Sequence, residues 1–126
     1  MCIIKFSHYN LRAHRALLEQ LKDFYIDVVG LYEGERPPFK AFGYWLYAAD
    51  QDVLHLTEAA IDESRPAHAQ NTFDHIAFRA THRGEFETRL QQHFIFYTIE
   101  NVPNSKHVQL FFKDPAGNGL EINFIE

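Results

Sequence analysis

The chain has 126 residues, of which 46% are hydrophobic and 23% charged, a composition that fits one domain with its own core. Twelve Lys and Arg against 17 Asp and Glu give a net charge of −5, and the scattered basic residues argue against a nucleic-acid-binding surface. No apolar run approaches the roughly 20 residues that span a bilayer, which excludes membrane insertion. The single cysteine, Cys2, excludes an internal disulfide. Because the N-terminus has no charged leader and apolar stretch, we expect a cytoplasmic protein.

The first half of the chain predicts a strand, a helix and further strands. A predicted strand block, Phe6 to Ala13, precedes a helix-like stretch, His14 to Val28, which Gly30 ends. A loop is predicted at Glu33 to Pro38, where Gly, Pro and charged residues are dense. Two extended, aromatic-rich runs follow, at residues 43–48 and 52–57.

The second half repeats this order. Phe73 to Ala80 aligns with Phe6 to Ala13, with Phe, His, Arg and Ala at matching positions. A shorter helix is predicted over Thr81 to Gln92, with Thr81 as its N-cap. Asp114 to Gly119 is rich in turn residues and predicts a hairpin. The extended runs of this half are residues 94–100, 107–113 and 119–124.

The repeat predicts an α+β fold of two tandem βαβββ modules. Module one is residues 1–60 and module two is residues 72–126. Residues 61–71 contain Pro66 and several polar residues without core periodicity, so they are predicted to be the linker. The 126 residues then form one domain built from two modules.

Four side chains that bind metals fall at repeat-related positions. His8 and His75 stand in the leading strands, and His55 and Glu121 stand in the closing strands. Because side chains alternate along a strand, the apolar neighbours of these residues face the helix and the four residues share the open faces. Imidazole and carboxylate suit a divalent ion such as Zn²⁺, Ni²⁺, Fe²⁺, Mn²⁺ or Co²⁺. The sequence therefore predicts one divalent metal ion per site, with His8, His75 and Glu121 as ligands and His55 as a further ligand.

Three motifs and the tandem module resemble the vicinal oxygen chelate superfamily. The motifs are FDHIAF at residues 73–78, DFYIDVVGL at residues 23–31 and LFFKDPAGNGLEINF at residues 110–124. This superfamily includes glyoxalase I, bleomycin resistance proteins, fosfomycin thiol transferases, methylmalonyl-CoA epimerase and extradiol dioxygenases, and the resemblance covers nearly the whole chain. It implies paired modules that form a U-shaped cup around a metal, and a homodimer.

The resemblance also implies roles for single residues. His8 and His75 match the first-strand histidine ligands and Glu121 matches the last-strand glutamate, whereas His55 stands where glyoxalase I has a second glutamate. The implied function is a metal-dependent lyase or isomerase of the glyoxalase I type, which acts on a small substrate that chelates the ion through neighbouring oxygens. The metal would stabilise an enediolate, and Glu121 would act as the base.

Three other functions stay open at this point. An extradiol dioxygenase fits two His and one Glu with Fe²⁺, but Phe111 stands where such enzymes have a tyrosine, and they resemble two fused copies of this length. A thiol transferase is not favoured, because no potassium-binding loop is evident. A metal-free binding protein of the bleomycin resistance type would have no need of His8, His75 and Glu121.

Substrate contacts are predicted at Tyr44, Tyr47 and Arg79. Strand alternation is taken to put Trp45 on the face opposite the two tyrosines, which leaves these tyrosines to line a pocket for a flat or apolar substrate; core packing is the alternative. Arg79 recurs in register with Arg12 and is predicted to bind an anionic group, with a structural ion pair at the module end as the alternative.

Overall fold

The computed structural model of the chain describes residues 2–68 and 71–126. Backbone contacts divide the chain into two compact units, Met1–Ala67 and His68–Glu126, called unit one and unit two below. Each unit contains a four-stranded mixed sheet and a helix in the order βαβββ, which confirms the predicted α+β fold. Within the described residues, no helix is long and apolar enough to cross a membrane.

The helix of unit one agrees closely with the predicted one. Leu18, Leu21 and Tyr25 recur at helical spacing and are buried, so the helix packs one apolar side against the sheet. Its last turn widens into a π-helical segment that ends at Gly30, whose φ of 97° favours glycine. The elements are β1 (Tyr9–Ala13), α1 (Arg15–Phe24), the π-helical segment (Tyr25–Val29), β2 (Tyr32–Gly34), β3 (Gly43–Ala48) and β4 (Gln51–Glu58).

The sheet of unit one has the strand order β1-β4-β3-β2. β1 runs parallel to β4, and the other pairs are antiparallel. Leu46, Leu54 and Leu56 are fully buried, so they form the core face of this sheet. The register of β3 on β4 shifts between Leu46 and Tyr47, as at a β-bulge.

Unit two repeats the plan with the strand order β5-β8-β7-β6. β5 is parallel to β8, as β1 is to β4. Phe86 and Leu90 of the helix are buried, as are Leu110, Leu120 and Ile122 of the sheet. The elements are β5 (His75–Arg79), α2 (Arg83–Gln92), β6 (Thr98–Asn101), β7 (His107–Lys113) and β8 (Gly119–Ile125).

The predicted hairpin between β7 and β8 is confirmed. The Asp114 carboxylate accepts hydrogen bonds from the backbone N–H groups of Ala116 and Asn118, each at 2.9 Å. The N–H of Gly117 donates to the Asp114 carbonyl, and Gly117 has a φ of 85°. One buried aspartate therefore organises the turn.

Three local predictions are wrong. α2 begins at Arg83, because His82 adopts a left-handed φ of 63° and the Thr81 hydroxyl contacts the His82 ring rather than capping the helix. The extended run predicted from residue 94 is a strand only from Thr98, since Phe94 has a φ of 57°. The loop predicted from Glu33 begins as the edge strand β2.

The predicted linker, residues 61–71, includes Ala69 and Gln70, which lie outside the described residues. Before that gap, Glu63 ties the segment to β1. Its carboxylate accepts hydrogen bonds from Arg12 at 2.9 Å and from Arg65 at 3.0 Å, and these contacts, Arg12 first, lower the pKa of Glu63 to about 2. The division into modules and linker stays a prediction.

Replacing Glu63 with Gln should make the melting temperature less dependent on pH in the acid range. The folded-state pKa lies below the unfolded value of about 4.3, so the contribution of the carboxylate is complete above about pH 5 and is lost as the pH falls through 2. The difference in melting temperature between wild type and Glu63→Gln should be largest at pH 7 and shrink toward pH 2. Glu100→Gln, at an exposed position in β6, is the control. A difference that stays constant over this range would contradict the assignment.

Candidate functional site

Three aromatic rings stack on the open face of the sheet in unit one, the face turned away from α1. The ring centroids of His8 and His55 are 3.7 Å apart at 18°, and those of Trp45 and His55 are 4.0 Å apart at 6°. Strand pairing explains the stack, since Trp45 is directly opposite His55 and Asn10, two residues beyond His8, also pairs with it. Covered on both sides, His55 is only 8% exposed.

A carboxylate fixes the orientation of the His55 ring. Nε2 of His55 lies 2.7 Å from Oδ2 of Asp52, and this hydrogen bond lowers the pKa of Asp52. The pKa of His55 is also lowered, because burial outweighs the contact with Asp52. Since a carboxylate accepts, Nε2–H donates and Nδ1 of the neutral ring keeps the lone pair.

The bulge in β3 and β4 is what brings Asp52 to this face. Residues three apart in a regular strand face opposite sides, but the shifted register pairs Asp52 with Tyr47, two residues beyond Trp45. Asp52 therefore joins Trp45 and His55 on the open face. The sequence carries no clear signal for this bulge, so sequence reasoning missed Asp52.

The corresponding face of unit two holds His75 and Glu121. Nδ1 of His75 lies 2.8 Å from Oδ2 of Asp74, and Nε2 lies 3.3 Å from Oε1 of Glu121. Glu121 pairs with Ala77, which puts it on the side of β5 that His75 also faces. Phe111 pairs with Glu121 and meets the His75 ring edge-on, with centroids 5.7 Å apart at 87°.

Glu121 is a buried carboxylate with long contacts. It is 7% exposed, and within the described residues its contacts are Nε2 of His75 at 3.3 Å and Nδ2 of Asn123 at 3.5 Å. Both distances exceed the usual range for a hydrogen bond from nitrogen to oxygen. A buried charge of this kind is costly unless a partner offsets it. The carboxylate is thus available to a bound cation.

A glycine allows β5 to approach β8 closely at His75. A Cβ on Gly119 would lie 2.2 Å from the carbonyl oxygen of Asp74 and 3.1 Å from Cβ of His75. Gly119 pairs directly with His75, so a side chain there would push the first residues of β5 away. Gly119 therefore lets His75 lie close to β8, although it has no side chain that could bind or react.

The structure pairs the predicted ligands within each unit. His8 meets His55 in unit one, and His75 meets Glu121 in unit two. Over the described residues, neither unit by itself gathers three His, Cys, Asp or Glu side chains that could hold a metal ion. The metal site of His8, His55, His75 and Glu121 therefore stays a prediction.

The expected placement of Tyr44 and Trp45 is wrong. Trp45, not Tyr44, shares a face with Tyr47, because residues two apart in a strand point the same way. Tyr44 lies against α1, where its hydroxyl donates to Oε1 of Glu19 at 2.6 Å, and burial, with this contact, raises its pKa to about 12. Tyr44 is therefore part of the packing against the helix.

The other two predicted substrate contacts differ in setting. The Tyr47 ring stacks on Tyr32, with centroids 5.6 Å apart, and its hydroxyl donates to the carbonyl of Glu35 at 2.6 Å. Arg79 is exposed at the end of β5 and lines a cavity of about 260 Å³ with Glu126. Arg12, its repeat partner, forms the structural ion pair with Glu63. Substrate binding by Tyr47 and Arg79 stays a prediction.

Replacing Gly119 with Ala should destabilise the protein by about 1–3 kcal/mol, the usual cost of inserting a methyl group into packed structure. The methyl group would meet backbone atoms of Asp74, which cannot move without disturbing β5. Gly84→Ala is the matched control, because nothing lies within 4 Å of a Cβ there and alanine favours a helix. Chemical denaturation should show opposite signs for the two variants, and equal stability of Gly119→Ala and wild type would contradict the packing.

Removing the indole of Trp45 should release the His55 ring. In the wild type, the ring current of a stacked indole shifts the His55 Hε1 resonance upfield. In Trp45→Ala this resonance should move downfield in proton NMR spectra. The His14 resonance, from a ring near Glu63, is the internal control and should stay in place. An unmoved His55 resonance would show that the stack does not form in solution.

Comparisons with known proteins bear on the fold. No family model matches the sequence, and no curated protein matches it. Among solved structures, a glyoxylase/bleomycin resistance protein/dioxygenase domain from a Frankia species is similar, with 16% identity, a TM-score of 0.75 and coverage of 99% of this chain and 100% of that one. A lactoylglutathione lyase from Agrobacterium tumefaciens has 24% identity and a TM-score of 0.65, covering 95% and 92%.

An antibiotic binding protein from a Streptomyces species is also similar, with 20% identity, a TM-score of 0.68 and coverage of 100% of this chain and 99% of that one. At these identities the likeness concerns the fold. The two βαβββ units of this chain, each with its first and last strands parallel, are what these structures resemble over nearly the whole chain. The chain therefore has a glyoxalase-like fold.

Proposed function

We propose that the chain is a divalent-metal-dependent lyase or isomerase of the glyoxalase type. Its substrate would be a small molecule that binds the ion through two neighbouring oxygens. His8, His75 and Glu121 would hold the ion, with His55 as a further ligand. The observation that supports this most is the buried Glu121 carboxylate beside Nε2 of His75, on a fold that a lactoylglutathione lyase also has.

The spacing of His75 and Glu121 fits ligands of one ion. When Nδ1–H of His75 donates to Asp74, the neutral ring keeps its lone pair on Nε2, which then faces a carboxylate oxygen at 3.3 Å. Two electron-pair donors at this distance need a cation or a proton between them. Two ligand atoms at about 2.1 Å from one tetrahedral ion lie about 3.4 Å apart, close to the observed separation.

In His8, His55 and His75, a neighbouring side chain contacts one ring nitrogen, so the other nitrogen can bind a metal ion. Asp74 engages Nδ1 of His75, and Asp52 engages Nε2 of His55. Ser7 Oγ lies 3.0 Å from Nδ1 of His8. Histidine ligands in proteins usually have such a contact on the second nitrogen, which fixes the ring. The donor chemistry therefore fits a borderline divalent ion.

Glu121 is the proposed base. A bound divalent ion supplies a Lewis acid that draws electron density from a substrate carbonyl. Glu121 would then take the proton from the adjacent carbon and return it to the neighbouring carbon or oxygen. His75 and Asn123 lie 3.3 Å and 3.5 Å from the two carboxylate oxygens, and burial keeps bulk water from solvating them.

A homodimer is part of this proposal. Ile3, Ile4 and Phe6 precede β1 and are 96%, 86% and 59% exposed. Several large, exposed apolar side chains in one short segment are typical of a segment that contacts a partner. A second copy of the chain would cover them.

A metal-free binding protein is the second candidate function. The antibiotic binding protein with a similar fold supports it, and so does an aromatic cavity in unit two, described below. Such a protein would bind its ligand without any need for the His75 and Glu121 pair. Metal content distinguishes the two candidates.

Protein purified without chelators should contain near-stoichiometric divalent metal by inductively coupled plasma mass spectrometry. Glu121→Ala and His75→Ala should lose it while keeping the wild-type circular dichroism spectrum, because neither side chain belongs to the apolar core. Glu100→Ala, at an exposed strand position, is the matched control. Light scattering on the same samples should give the mass of two chains.

A second measurement tests the proton-transfer chemistry at the proposed site. The wild type should catalyse incorporation of solvent deuterium into hydroxyacetone, and Glu121→Gln should lose this exchange by about 100-fold or more, the usual contribution of a general base.

Fe²⁺ as the native ion would favour oxygen chemistry, and Ni²⁺, Zn²⁺ or Co²⁺ would favour the lyase or isomerase. Absence of metal even after reconstitution would overturn the proposal in favour of a binding protein.

A further inference from the structure

Unit two contains a cavity of about 830 Å³ beside the candidate ligand pair. It lies at the end of the sheet where β5 and β8 begin and β7 ends. Its walls include five phenylalanines, namely Phe73, Phe94, Phe96, Phe111 and Phe112. This size, and a lining that combines aromatic side chains with a few polar ones, are typical of pockets for small molecules.

Two of these phenylalanines are presented to solvent by an ordered turn. Phe94 is 95% exposed and Phe96 is 85% exposed. The turn is held by hydrogen bonds from the N–H of Phe94 to the Gln91 carbonyl at 3.1 Å and from the N–H of Ile95 to the Leu90 carbonyl at 2.9 Å. Phe94 also keeps a φ of 57°, a conformation that costs free energy for a residue with a side chain. An ordered segment that exposes two rings beside a cavity indicates an apolar ligand or partner.

The cavity reaches His75, one member of the candidate ligand pair. His75 lines it, and the same ring contacts Phe111 edge-on and Glu121 through Nε2. Lys113, at the end of β7, adds a positive charge to the lining. A molecule that fills the cavity would thus place its apolar part against phenylalanines and a polar, electron-rich end near His75.

We propose that this cavity binds an aryl group of the substrate, whose neighbouring oxygens lie at His75 and Glu121. The inference rests on the proposed function for the role of those oxygens, and it adds the substrate class, an aryl compound with two adjacent oxygens. Phenylalanine rings suit a flat partner, because offset and edge-on contacts between aromatic rings add to the burial of apolar area. A second copy of the chain seated on Phe94 and Phe96 is the competing explanation.

The test compares two keto acids that differ only in one substituent. Benzoylformate carries a phenyl group where pyruvate carries a methyl group, and both have adjacent oxygens. Isothermal titration with the metal-loaded wild type should give a dissociation constant about tenfold or more lower for benzoylformate, from burial of the phenyl group. Phe96→Ala should reduce this ratio at least about threefold, and Phe39→Ala, at an exposed ring in unit one, should leave it unchanged.

Repeating the titration after chelation separates this inference from the proposed function. If the metal proposal fails but the cavity binds aryl groups, benzoylformate still binds better than pyruvate and Phe96→Ala still removes the preference. If both keto acids bind equally to wild type and to Phe96→Ala, the aryl site is overturned. Dissociation of a dimer by Phe96→Ala, without an aryl preference in the wild type, would assign these rings to contact between two copies.

Discussion

Parallel pairing of the first and last strands in each unit determines on which face the four candidate metal ligands lie. Equivalent residues of β1 and β4, and of β5 and β8, face the same side of their sheet. Buried Leu54 and Leu120 fix the register, because a slip of one residue would turn the core side chains to the opposite face. The residue that follows each leucine, His55 or Glu121, is then held on the open face. The apolar core thus positions the polar chemistry.

The two units place different side chains on the same backbone plan. An aromatic residue stands opposite the closing-strand residue in both, Trp45 opposite His55 and Phe111 opposite Glu121. In unit one, the His55 ring lies between two other rings and is covered by them. A hydrogen bond to the Asp52 carboxylate fixes its orientation. In unit two, the Phe111 ring meets the His75 ring edge-on, and the Glu121 carboxylate has long contacts. The pair in unit two is therefore the more open to a ligand.

Much of the fold could be predicted because its determinants are local or repeated. The βαβββ order, the helix end at Gly30 and the hairpin at Asp114 follow from alternation, helical spacing and turn residues, and the structure confirms them. Pairing of His8 with His55 followed from parity and the repeat. The bulge that brings Asp52 to His55 did not, since it depends on how β3 and β4 pair rather than on either strand alone. The backbone at Phe94 was missed for the same reason, because its φ is stabilised by bonds back to α2.

Glu121 places a carboxylate directly beside the apolar core of unit two. Its neighbours Leu120 and Ile122 are fully buried, so the carboxylate cannot move to solvent without breaking the core of unit two. A carboxylate fixed there without short hydrogen bonds lowers stability, and an apolar residue at the same position would cost less. The arrangement is explained if a bound cation offsets the charge. Rigid strands then present the ligand pair, while the phenylalanines that would select the substrate lie partly on the turn after α2, where changes of side chain leave the sheet intact.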